Sequence, residues 1–272
     1  MFGIPAPTAF DLKFRLLRIP VRVSPWFWLV SAMMFSSGDP NELLLWVPCV
    51  FLSILVHEMG HGLVAKSFGG HPQITLHGMG GLCSSEGERT FGQRLAVILA
   101  GPGAQLLLLG LLLAVAPFWL GISWRGDVTY AKSLFGFFPH QNDPGFAEIK
   151  SAVDLRGPKS LHLFFYLFEI NLFWPLLNLL PLYPLDGGQA TQTIWSRLDP
   201  RHGARRTHIL SMLTAGIIAA YFATRMSQSG DQSGLFRVIF FGYFAFINYQ
   251  LLQAYHQKYE EYGADDADWW KR

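Results

Sequence analysis

The sequence predicts an all-α polytopic membrane protein with about six transmembrane segments and a small membrane-associated β-hairpin or sheet element. Three observations predict it. Residues of the AVILMFWYC set make up 51% of the 272 residues and charged residues only 15%, against about 25% charged in an ordinary soluble domain. Charge-free stretches run between Arg94 and Arg125, between Arg206 and Arg225, between Arg237 and Lys258, and, shorter, between Arg22 and Asp39, as a bilayer requires and a soluble core does not. Between two of the apolar segments, glycines and alternating apolar residues replace the helical pattern.

The elements follow in chain order. FRLLRIPVRV (14–23) mixes basic and β-branched residues and reads as a short strand or interfacial segment. The first apolar segment, 24–36, is short for a span and also looks like a signal-peptide core behind a basic stretch; it is read as retained. The second segment covers 41–66 and the third 91–120, with the insert GGHPQITLHGMGGLCSSEGER (69–89) read as hairpin-like between them. Residues 121–159 read as a polar loop carrying Asn142, Asp143, Pro144 and Gly145, before segments at 160–182, 207–224 and 235–256 and an acidic tail ending in Trp269 and Trp270. The expected organisation is one membrane-embedded domain over 1–272, with a core at 41–190 and peripheral helices at 24–36, 207–224 and 235–256.

A net charge of +2 leaves no footprint for nucleic acid. Two cysteines, Cys49 and Cys83, provide neither a disulfide framework nor a CxxC pair. With six spans and a cytoplasmic N-terminus, fourteen of the 21 lysines and arginines fall on the inside. The bias places both termini in the cytoplasm, in the cell membrane.

The second segment contains His57-Glu58-Met59-Gly60-His61. On a helix the histidines at i and i+4 share a face at a spacing that suits one metal ion, with Glu58 placed to take a proton from a metal-bound water. HExxH also arises by chance on soluble helix surfaces. Here the motif sits in an apolar span, where ionisable groups are expensive and mark function. A catalytic zinc normally takes three protein ligands, and Asp186 is the expected third. It stands in Asn178-Leu-Leu-Pro181-Leu-Tyr-Pro184-Leu-Asp186-Gly187-Gly188, where two prolines break the helix and two glycines permit close backbone approach. His57 lies about 14 Å inside the inner end at Lys66, a depth matched by Asp186 at the inner end of its own segment. Glu169, the other acid there, lies two to three turns further out and is read as a structural or pore-lining group.

These two motifs resemble those of the site-2 protease intramembrane metalloproteases, in a compact form without PDZ or CBS domains. The N-terminal FRLLRIPVRVSP, the hairpin insert and Ala100-Gly101-Pro102 resemble that family too, over roughly residues 13–200. The resemblance implies one Zn2+ per chain held by His57, His61 and Asp186, Glu58 as general base, and a transmembrane protein substrate whose helix unwinds before hydrolysis in the bilayer. It also implies that Asn178 and Gln105 orient the substrate or stabilise an oxyanion; the other reading of both is hydrogen bonding between helices of the bundle. At position 105 the family usually has Asn, Ser or Gly, so Gln105 is a departure. Two other expectations stand beside this one: a catalytically silent relative that binds membrane helices, which the intact Glu58 disfavours, and a metal or proton transporter, for which no inverted repeat is visible. Segments one, five and six are expected to shape substrate entry.

Overall fold

The computed structural model describes residues 6–35, 40–87, 89–123, 126, 128–130, 144–229 and 235–266. Asn142 and Asp143 of the expected loop lie outside the described residues. The described residues fall into two compact units, one within Met1–Glu88 and Leu99–Leu176, the other within Arg89–Ile98 and Leu177–Arg272.

The first unit opens with β1 (Leu12–Leu16) and β2 (Ile19–Val23), an antiparallel hairpin in which Leu12 faces Val23. Its two-residue turn puts Leu17 at φ +48° and Arg18 at φ +67°, the doubly left-handed turn whose twist matches that of the strands. The insert forms β3 (His71–His77) and β4 (Gly80–Glu86), antiparallel to each other, and β3 pairs in parallel with β2. The strand-like segment at 14–23 is therefore two strands, joined with the insert into one four-stranded sheet ordered β1-β2-β3-β4. A parallel pairing between remote segments leaves no local mark in the sequence.

Alternation along these strands decides what the sheet packs on. Ile19, Val21, Val23, Ile74 and Leu76 are buried on one face, against Trp46, Val50, Ile54 and Met59 of α2 (Pro40–Ser67) and Phe27 of α1 (Pro25–Met33). Pro20 and Gln73 are exposed on the other. A Cβ at Gly62 would meet the Ile19 side chain at 3.2 Å, so the sheet rests directly on the turn of α2 that carries His61. α3 (Phe91–Trp119) comes equally close on another side: a Cβ at Gly60 would lie 2.8 Å from that of Ala104. Small residues let two apolar helices approach in this way.

α4 (Pro144–Arg156) and α5 (Pro158–Asn178) complete the unit. The polar loop expected over 121–159 thus contains a 13-residue helix. Ala152 of α4 is buried with Leu109 and Ala116 of α3 and with Leu161, Phe164, Phe165 and Phe168 of α5. Glu148 accepts hydrogen bonds from the Ser123 backbone N–H at 2.7 Å and its hydroxyl at 2.9 Å. α5 is tied to α2 by Asn171, whose Nδ2 donates to Ser53 Oγ at 2.8 Å, and by Tyr166, whose hydroxyl donates to Glu42 at 2.9 Å.

The second unit contains α6 (Asp186–Leu198), α7 (Gly203–Ser229) and α8 (Leu235–Asp266). Leu182, Ala215 and Phe244 form its small core.

Among the described residues, four helices are long and apolar enough to cross a membrane: α2, α3, α5 and residues Gly203–Ser227 of α7. The protein is therefore an integral membrane protein. These four account for four of the about six expected segments. α1 has nine residues, about 14 Å of helix against a hydrocarbon core of about 30 Å. α8 has 32 residues, but Asn248, Gln250 and Gln253 dilute its apolar run.

Candidate metal centre and its surroundings

In the first unit, one turn of α2 puts His57 and His61 on the same face, 3% and 8% exposed. Their rings are nearly perpendicular, at 79°, and their Nε2 atoms lie 3.1 Å apart. Two imidazoles bound to one tetrahedral zinc at about 2.0–2.1 Å would hold their nitrogens about 3.3 Å apart. The space that both nitrogens face is kept by Gly101 of α3. A Cβ there would overlap His61 Nε2 and lie 2.8 Å from His57 Nε2. Two converging nitrogen donors and a residue with no side chain between them fit a metal ion.

Glu58 is 4% exposed and lies beside this pair. A Cβ at Gly81 of β4 would lie 2.5 Å from Glu58 Cδ, so strand backbone passes directly over the carboxylate. The sequence marks Gly81 only as one glycine of a glycine-rich insert, and Gly101 only as part of the family-like Ala100-Gly101-Pro102. The signal was present only as glycine, which serves turns and close approaches alike.

Gln105 lies about one turn of α3 beyond Gly101, fully buried, with Oε1 2.9 Å from His57 Nδ1. The resemblance implied that it handles substrate; in the structure its amide oxygen faces a histidine.

Asn178 and Asp186 belong to the second unit. α5 ends at Asn178, and Asp186 begins α6; they are 8% and 7% exposed. The chain between them is irregular, as the two prolines predict. Close approach accounts for both glycines after Asp186: a Cβ at Gly187 would overlap the Leu179 and Leu180 carbonyls, and one at Gly188 would lie 2.5 Å from Tyr183 Cα.

This loop is held from α7 and α8 by residues that sequence reasoning passed over. Ser211 Oγ accepts the Tyr183 N–H at 2.9 Å and donates to the Pro181 carbonyl at 3.3 Å. Asn248 Nδ2 donates to the Tyr183 carbonyl at 2.6 Å and to that of Phe244 at 2.9 Å. Asn248 Oδ1 lies 3.0 Å from His208 Nδ1, and the His208 ring meets that of Tyr183 edge-on at 5.2 Å. Ser211 and Asn248 are fully buried. No spacing pattern links residues that pair across 65 positions.

His77 Nδ1 accepts the Met79 N–H at 3.2 Å in the β3–β4 turn. Burial, and then the charge of Arg22, lower the His77 pKa from its ordinary value.

Comparison with known proteins adds an independent view. A family model described as peptidase family M50 matches residues 46–222, more than half of the chain. Stage IV sporulation protein FB of Bacillus subtilis is 26% identical over 201 residues, covering 72% of this chain and 55% of that protein. A zinc metalloprotease of Methanocaldococcus jannaschii is 24% identical over 189 residues, covering 68% of this chain and 45% of that protein. The chain thus spans about half the length of the curated relatives it matches. Among solved structures, a site-2 protease from Methanocaldococcus jannaschii shares the fold with a TM-score of 0.53 at 20% identity, over 89% of this chain and 95% of that one.

Proposed function

Since this chain belongs to peptidase family M50, we propose that it is an intramembrane zinc metalloprotease that hydrolyses a peptide bond in or near a transmembrane helix of a membrane-protein substrate. The observation that carries the reading is the convergence of the His57 and His61 Nε2 atoms, 3.1 Å apart, on a space kept by Gly101 beside Glu58.

In this reading His57, His61 and Asp186 hold one zinc ion. Held there, such an ion would supply the Lewis acidity that polarises a scissile carbonyl and makes water nucleophilic near neutral pH. Glu58 accepts a proton at its carboxylate as water attacks the carbonyl carbon, and returns it to the amine nitrogen as the C–N bond breaks. Its burial beneath the backbone of Gly81 keeps bulk water from competing for that carboxylate. Asn178 is a further donor for substrate or oxyanion, supported by its burial at the end of α5. Residence in the cell membrane, with both termini and the site toward the cytoplasm, is supported by the distribution of lysine and arginine. Regulated release of a membrane-held protein is the biological role that such a reaction serves.

The test is Glu58→Gln, with zinc content and cleavage of a model transmembrane substrate measured on the same preparation. Zinc is expected to remain at one per chain while cleavage falls by about 10²–10⁴-fold, the usual contribution of a general base. Unimpaired cleavage with zinc retained would sink the assignment of Glu58.

A further inference from the structure

We infer that Gln105 is a positioning residue that fixes the tautomer and orientation of the neutral His57 imidazole, so that the ring would present Nε2 to a metal. The inference rests on the metal-centre reading above and deepens it. Gln105 Oε1 lies 2.9 Å from His57 Nδ1, and both side chains are buried, at 0% and 3% exposure.

The amide has two faces and the ring two nitrogens, and only one combination suits a ligand. An amide oxygen can only accept, so it places the proton on Nδ1 and leaves the Nε2 lone pair directed at the Gly101 space. With the amide reversed, its N–H would face Nδ1 and drive the proton to Nε2, which could then no longer coordinate. The arrangement carries a cost. Gln105 Nε2 is buried and has no hydrogen-bond partner among the described residues, and an unsatisfied buried donor is destabilising. A side chain chosen for packing alone would not retain that orphan amide in an apolar helix. The oxygen at Nδ1 is the property that compensates for it. Outer partners of this kind fix the tautomer and orientation of metal-bound histidine and strengthen it as a ligand.

This departs from the substrate-handling role implied for position 105, and it gives the longer side chain a reason. From α3, the extra methylene of Gln over Asn carries the acceptor to Nδ1 of a ring on α2.

The experiment uses the full chain in detergent, with zinc affinity measured by competition with a chromogenic chelator and folding by thermal melting of the zinc-free protein. Gln105→Met keeps the volume and removes both amide functions; Gln105→Glu keeps the acceptor at the same reach and removes the orphan donor. Met is expected to bind zinc about 10–100-fold more weakly while the zinc-free protein melts no lower than wild type. Glu is expected to restore zinc affinity to within a few-fold of wild type. Opposite movement of affinity and stability is something a packing role cannot produce. Zinc binding by Met within about threefold of wild type, or binding by Glu as weak as by Met, would overturn the inference. A wild-type affinity insensitive to His57→Ala would overturn the metal-centre reading itself, and this inference with it.

Discussion

A methyl group is the smallest change that separates the proposed metal site from helix packing in this protein. At Gly101 it would enter the space between the two imidazoles. Gly101→Ala is therefore expected to weaken zinc binding at least tenfold, about 1.4 kcal/mol, with little change in the melting of the zinc-free chain. At Gly60 the same methyl would strike the Ala100 carbonyl and the Ala104 Cβ. Gly60→Ala is expected to lower stability by about 1–3 kcal/mol through overpacking. Calorimetry and chelator competition on the two variants should show opposite profiles. The histidines, Glu58 and Asp186 were legible in the sequence because each belongs to a short motif whose geometry is local. Gly81, the orientation of Gln105 and the space that Gly101 leaves, beyond its place in Ala100-Gly101-Pro102, were not, because their meaning lies in what another element brings near them.

Among the elements, α7 and α8 hold the loop that ends at Asp186. Sequence reasoning expected these segments to shape substrate entry. The structure shows Ser211, His208 and Asn248 bonding the loop backbone and one another. Asn248→Leu leaves the Tyr183 carbonyl buried without this donor, a loss of about 1–3 kcal/mol. If the loop presents a ligand, zinc content should fall in parallel, and Ser211→Ala should produce a smaller effect of the same kind. The β3–β4 turn makes a separate prediction. The His77 pKa is lowered in the fold, so the unfolded chain binds the proton more readily. Its contribution is complete above the unfolded value of about 6.5 and is lost as pH falls below it toward the folded value. Protection factors of the β3 and β4 amides, corrected for the intrinsic pH dependence of exchange, should fall below that pH, and His77→Gln should flatten the response.

For the molecule as a whole, the surface argues for lipid. On α3, Leu107, Leu111 and Phe118 are 77%, 59% and 87% exposed, and α7 adds Leu213 and Ile217 at 54% and 69%. Water does not tolerate stripes of this kind, and a bilayer requires them. Leu111→Arg places a charge on such a stripe, at an expected cost of about 2.5–3.5 kcal/mol for insertion. The fraction of the chain resistant to alkaline extraction from membranes should fall accordingly.

By itself the sequence determined the membrane class, the helix that carries His57, Glu58 and His61, and the broken segment that ends at Asp186. Hydropathy, the i to i+4 spacing and the backbone limits of proline and glycine act over a few residues and need no partner. Only the tertiary structure decided the parallel pairing of β2 with β3, the glycine that leaves room between the two imidazoles, the amide that faces His57 across 48 positions and the hold of Asn248 on the loop across 65. Each of these depends on two segments meeting, and the energy of that meeting is written in neither segment alone.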